Sequence, residues 1–348
     1  MSTTQSVGAD LPGMEPGSPG SSGRAAQHSD RRERWLTIAE AWSLAGLLLA
    51  TALFFTLWGK TSGTFPTTAN FQVMVGNQAV LAIVALAALI PLVCREFDLS
   101  VGAIAGLAAV FVAEMMSKGT PVLLCVLVGI ALGALIGLVN ALLVTRARVN
   151  GVIATLGVAT MLAGVVHWKT QGRSLVTNIP ESVTSFGDGT TLGVPQPAWA
   201  MVVIALLVYY LLNHTVTGRS IYALGANPTA ARLVGLPTKR LLGLTFVLSG
   251  ALAGAAGVLQ VARAGGADPQ VGENFTLPAL AAAFLSAAAV KPGRYNVGGV
   301  IVAIFFLAVL NTGLNLSGAA QYVSDFVNGG ALVLGVALAA YLSRGRAT

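Results

Sequence analysis

The chain has 348 residues, of which 55% are hydrophobic and only 9% charged, with a net charge of +7 and a mean hydropathy of +0.77. A soluble domain carries roughly 25% charged residues, so this chain cannot cover a water-facing globule of its size, and an ordinary soluble enzyme or a disordered protein is excluded. The basic residues form no single stripe, which argues against nucleic acid as a partner. A polytopic protein in a lipid membrane remains.

In chain order, residues 1–34 are rich in Gly, Pro and Ser and hold no apolar run, so a disordered cytoplasmic tail is expected there. No apolar signal core with a small-residue cleavage site follows it, and the first membrane helix is expected to be retained. Residues 35–348 are expected to form one membrane domain.

Apolar runs long enough to span a bilayer predict ten helices, at about 40–58, 71–93, 99–116, 121–144, 152–171, 199–216, 241–262, 275–290, 297–314 and 326–343. The expected fold class is therefore all-α. Placing both termini in the cytoplasm puts five basic residues outside: Lys60, Lys118, Lys169, Arg173 and Arg263. The rest of the 20 fall in inner segments, the bias the positive-inside rule requires. In this arrangement 172–198 faces out and 217–240 faces in.

Gly129, Gly133 and Gly137 recur at four-residue spacing, as do Gly102 with Gly106 and Gly250 with Gly254. Such stripes let helices approach closely in lipid. Cys94 and Cys125 have no metal-ligand spacing and read as buried apolar residues. Gly59-Lys60-Thr61 resembles the end of a phosphate-binding loop, but Phe54 stands where the motif needs glycine. ATP is therefore expected on a partner subunit, and no cofactor or metal on this chain.

Asp98 and Ser100 begin the third predicted helix, where either side chain could cap open backbone N–H groups or shape the mouth of a pathway. Asn140, Asn311 and Asn315 lie in or near spans, and the last two share a helix face. An amide in hydrocarbon needs a partner, either another helix or a wet path for a polar solute. The other carboxylates lie at predicted helix ends or in loops, which argues against an ion-driven carrier.

The inner segment 217–240 carries its own punctuation. Asn227 is an N-cap residue and Pro228 fits the first helical position. Gly235 suits a left-handed helix end, and Pro237 prevents continuation. A helix from Pro228 to Val234 is predicted, too short to stand alone in water. Ala231 and Arg232 lie within it, and Leu233 and Val234 are its expected anchors.

At this loop the sequence resembles the ribose-type sugar permeases, the membrane subunits of ATP-binding-cassette importers. The likeness rests on Gly225 to Leu236 (GANPTAARLVGL), Phe97 to Gly102 (FDLSVG), Leu248 to Gly254 (LSGALAG) and Leu310 to Leu316 (LNTGLNL). It covers about residues 40–343 in the family's order. The resemblance implies about ten helices per subunit, working as a homodimer or with a paralogue. A cytoplasmic ATPase and a periplasmic or lipid-anchored sugar-binding protein are the implied partners. It also implies that the short inner helix couples to the ATPase. Leu285 to Lys291 (LSAAAVK) replaces a Gly-Gly-Thr-rich stretch of the family, and local packing is expected to differ there. A stand-alone secondary carrier or facilitator for a small polar solute is the alternative. A membrane enzyme finds no support in any nucleophile-and-base pairing.

Overall fold

The computed structural model describes residues 41–344, with side chains to residue 339. The expected tail, 1–34, lies outside them. Each predicted span coincides with a helix. They are α1 (Ala41–Leu57), α2 (Thr68–Val93), α3 (Val101–Ser117), α4 (Val122–Thr145) and α5 (Gly151–Thr170), then, after the short α6 (Glu181–Asp188), α7 (Gln196–His214). Two inner helices follow, α8 (Val216–Ala226) and α9 (Pro228–Leu233). The remaining spans are α10 (Thr238–Ala264), α11 (Val271–Leu285), α12 (Val297–Leu316) and α13 (Gln321–Arg344). Among the described residues, α2, α4, α5, α7, α10, α12 and α13 are long and apolar enough to cross a membrane, while α1, α3 and α11 are shorter. The chain is a polytopic, essentially all-helical membrane protein.

The layering follows from composition. The C-terminal half of α2, from Ala79 to Val93, is apolar on every face, as a buried helix must be. Most residues of α2 are buried, and it packs against α10, α11, α7 and α12. Pro91 helps to end it, and Arg95, at φ 63°, reverses the chain toward α3. Few residues in the most apolar stretches of α4, α5, α7 and α13 are buried, so these helices form the apolar outside.

The glycine stripes meet as predicted. A Cβ at Gly133 would lie 2.1 Å from the Gly250 carbonyl oxygen, and one at Gly254 would lie 2.3 Å from that of Gly129. Helices α4 and α10 therefore touch backbone to backbone. Gly102 and Gly106 pack in the same way on Gly272 and Thr276 of α11.

Several boundaries differ from expectation. Segment 172–198 contains α6 and an antiparallel hairpin, β1 (Thr190–Thr191) with β2 (Val194–Pro195), whose turn places Leu192 and Gly193 at positive φ. Segment 217–240 is mostly helical, because α8 presses onto the end of α2: a Cβ at Gly225 would lie 1.8 Å from the Val93 carbonyl oxygen. Helix α11 stops at Leu285, earlier than predicted, in a 3-10 turn at Ser286–Ala288. Here the Asn296 side chain donates to the carbonyls of Ser286, Ala289 and Arg294 and accepts from Gly299 N–H. These bonds fall in and beside Leu285 to Lys291, the stretch where different local packing is expected.

Thr61, the last residue of the phosphate-loop lookalike, is buried and donates to the Phe55 carbonyl at 2.5 Å. It closes the turn after α1.

Candidate functional site

The predicted residues form three groups. The first is a buried polar cluster between the α2–α3 connection, α4 and α10. Asp98, Ser100, Asn140 and Ser249 are all fully buried. The Asp98 carboxylate accepts from Ser100 N–H at 3.0 Å, from Ser100 Oγ at 2.5 Å and from Ser249 Oγ at 2.9 Å. Asn140 Nδ2 donates to Ser100 Oγ at 2.8 Å, while Asn140 Oδ1 is buried without a partner.

Two expectations change here. Ser100 makes no side-chain cap to α3, because its hydroxyl donates to the Asp98 carboxyl beside it. Asp98, which looked like a loop carboxylate, lies in the interior. Its three donors supply the hydrogen bonds that a buried carboxyl group requires. Ser249, inside the LSGALAG stretch, joins the site without being expected there. So does Thr155: its Oγ1 accepts from Leu99 N–H at 3.0 Å, tying α5 to the same connection. Lone hydroxyls on apolar helices were the available signal.

The second group lies between α12 and α13. Asn311 Nδ2 donates to Asn328 Oδ1 at 3.1 Å, and Ser324 Oγ donates to Asn315 Oδ1 at 3.4 Å. These are helix-to-helix bonds, and no hydrogen bond joins them to the Asp98 cluster. Asn311 Oδ1 is buried and unpartnered.

The third group is α9. Asn227 Oδ1 accepts from the N–H groups of Thr229 and Ala230, both at 3.0 Å. At the other end Gly235, at φ 81°, donates to the Arg232 carbonyl and Leu236 donates to that of Ala231. This is a Schellman closure. The helix ends at Leu233 rather than Val234, because Val234 is the C-cap. Ala231 alone turns inward, while Arg232 and Val234 are exposed and Leu233 is 84% exposed. The expected anchors therefore face away from their own chain.

Around α9 the framework is stiff. Tyr222 on α8 donates to the Tyr295 carbonyl at 2.8 Å, and the Arg294 guanidinium sits 3.7 Å from the Tyr222 ring centre. Burial pushes the Tyr295 phenol up to about 12. In the α2–α3 connection burial, with the Glu96 charge adding to it, pushes the Cys94 thiol up to about 12 as well.

Comparison with known proteins places the chain in a family. Residues 70–336 match the family described as branched-chain amino acid transport system / permease component. The ribose import permease of Escherichia coli is 35% identical over 305 residues, covering 87% of this chain and 93% of the relative. The ribose import permease of Haemophilus influenzae is 31% identical, covering 78% and 84%. The D-allose transport system permease of Escherichia coli is 28% identical, covering 87% and 93%. On this evidence the chain belongs to the ribose-type carbohydrate permeases, a family of ATP-binding-cassette transporter membrane subunits.

Proposed function

We propose that the chain is the non-catalytic permease subunit of an ATP-driven importer in the cell's inner membrane. Its solute is a ribose-like sugar or a similar small polyhydroxylated molecule. Relatives named for ribose, D-allose and L-arabinose support that solute class. All ten predicted spans cross the membrane in this reading, with both termini in the cytoplasm, and a second copy or a paralogue completes the pathway.

The observation that carries the reading is α9. It is capped at both ends, rooted through Ala231, and presents Arg232, Leu233 and Val234 bare to solvent. A bare apolar pair on a charged inner loop suits the groove of a partner ATPase, which binds and hydrolyses the ATP. Asn227, Pro228 and Gly235 hold that surface in shape. The buried unpaired acceptors Asn140 Oδ1 and Asn311 Oδ1 support a role for Asp98, Ser100, Asn140, Asn311 and Asn315 beside a polar path, since a solute hydroxyl or water could satisfy them. Helix α6 and its hairpin, on the opposite face, receive an extracytoplasmic binding protein.

The test is reconstitution. Vesicles holding this chain with its cognate ATPase should take up ribose only when ATP and the binding protein are both supplied. Uptake by this chain alone, driven by an ion gradient, would establish the stand-alone carrier instead.

A further inference from the structure

A lateral groove between α7 and α12 has no part in the roles above. It has a volume of about 230 Å³. Its walls are Met201, Val202 and Leu206 on one side and Val297 and Ile301 on the other. Twelve residues separate Met201 from Asn213, a rise of ~18 Å at 1.5 Å each, so the groove is long and narrow. Val202, Leu206 and Tyr209 are exposed along it.

One end of the groove is polar. Tyr209, Asn213 and Lys291 stand there, where the last turn of α7 meets the segment leading into α12. Lys291 is exposed, and its ammonium joins no ion pair among the described residues. Among the described residues, Lys291 is the only charged side chain lining the groove. The sequence holds no carboxylate between Asp188 and Asp268, nor between Glu273 and Asp325.

We propose that the groove holds an acyl chain of an anionic phospholipid, with the lipid phosphate at Lys291 and the Tyr209 hydroxyl. The physical grounds are depth and charge. At the depth of α7 and α12 the surrounding medium is hydrocarbon, and an apolar slot open to it fills with a chain. At the mouth one ammonium, the only charge among the described residues that line the groove, selects a phosphate carrying net negative charge, as basic pockets at the ends of membrane helices do. A tyrosine belongs at that level of the bilayer. A second copy of the protein fits less well, since a stable interface needs on the order of 800 Å² from each partner and the slot is one chain wide. The proposal rests on α7 and α12 spanning the membrane, and on nothing about the transported solute.

The experiment is native mass spectrometry of the full chain purified in mild detergent from membranes holding phosphatidylglycerol and phosphatidylethanolamine. The wild type should retain phosphatidylglycerol above its bulk share. Lys291→Ala should weaken that retention about fivefold, the effect of one surface cation. Val202→Trp, which fills the slot and leaves Lys291 in place, should remove the lipid, while Lys118→Ala, outside the groove, should match the wild type. Undiminished phosphatidylglycerol in Lys291→Ala, or retention in proportion to bulk lipid, would overturn the proposal. So would a change of oligomeric state in Val202→Trp with lipid content unchanged, which would make the groove an interface between copies. Titration of the wild type in nanodiscs gives a second reading free of variants. Thermal stability should rise with phosphatidylglycerol and not with phosphatidylcholine, and an equal rise with both would overturn the assignment.

Discussion

The Ser249 hydroxyl donates to the Asp98 carboxylate at 2.9 Å, joining the α2–α3 connection to α10 across 151 residues of sequence. Both groups are fully buried, so the bond has no water to replace it. Ser249→Ala should destabilise the protein by about 1–3 kcal/mol, the range for leaving a buried hydrogen-bonding group short of a partner. Asp98→Ala should cost more, because it strands two hydroxyls and an N–H. Thermal unfolding in detergent checks the order. A larger loss from Ser249→Ala than from Asp98→Ala would refute the carboxylate as the hub.

The backbone contact between α4 and α10 makes a sharper prediction. Gly133→Ala places a methyl 2.1 Å from the Gly250 carbonyl oxygen, and neither backbone can yield as a flexible side chain would. Overpacking costs about 1–3 kcal/mol, and this site should lie at the top of that range. Gly157→Ala, with nothing within 4 Å of the new methyl, should leave stability unchanged or slightly raised. Equal yields of folded protein from both variants would contradict the packing.

Much of this fold was legible in the sequence. Spans appear as unbroken apolar runs, because lipid demands them. Helix α9 appears because its caps are local: Asn227 and Gly235 act on backbone groups within a few residues. Helix α8 did not appear. It is held by the contact of Gly225 with the Val93 carbonyl, which no local pattern announces. The depth of Asp98 was hidden for the same reason, since its partner Ser249 is remote in sequence. Asn311 and Asn315 could be placed on one face, but their bonds to Asn328 and Ser324 on α13 could not be read from spacing.

The cysteines offer a chemical check. Cys94 is buried, its Sγ donates to the Ile221 carbonyl at 3.6 Å, and its thiol titrates at about 12. At pH 8 it is almost wholly protonated, and the thiolate is the nucleophile. Cys125 is likewise fully buried. Neither should react with maleimide in the folded protein at pH 8, and both should react after denaturation in SDS. Rapid labelling of Cys94 in the native state would show that the α2–α3 connection is open.

The orientation can be read with reporters. A fusion after Arg344 should behave as cytoplasmic and an insertion near Asp188 as external. Both on one side would contradict the ten-span arrangement.

The central claim is that α9 docks an ATPase. Burying Leu233, now 84% exposed, should stabilise that contact by roughly 1.5–3 kcal/mol, or one to two powers of ten in affinity. Leu233→Asp removes this burial and sets an unpaired charge in the contact. The membrane fold should persist, because the side chain touches little of its own chain. The decisive measurement is recovery of the cognate ATPase with affinity-purified Leu233→Asp, at matched amounts of folded permease. The account predicts at least tenfold less ATPase than with the wild type, and wild-type recovery would contradict it.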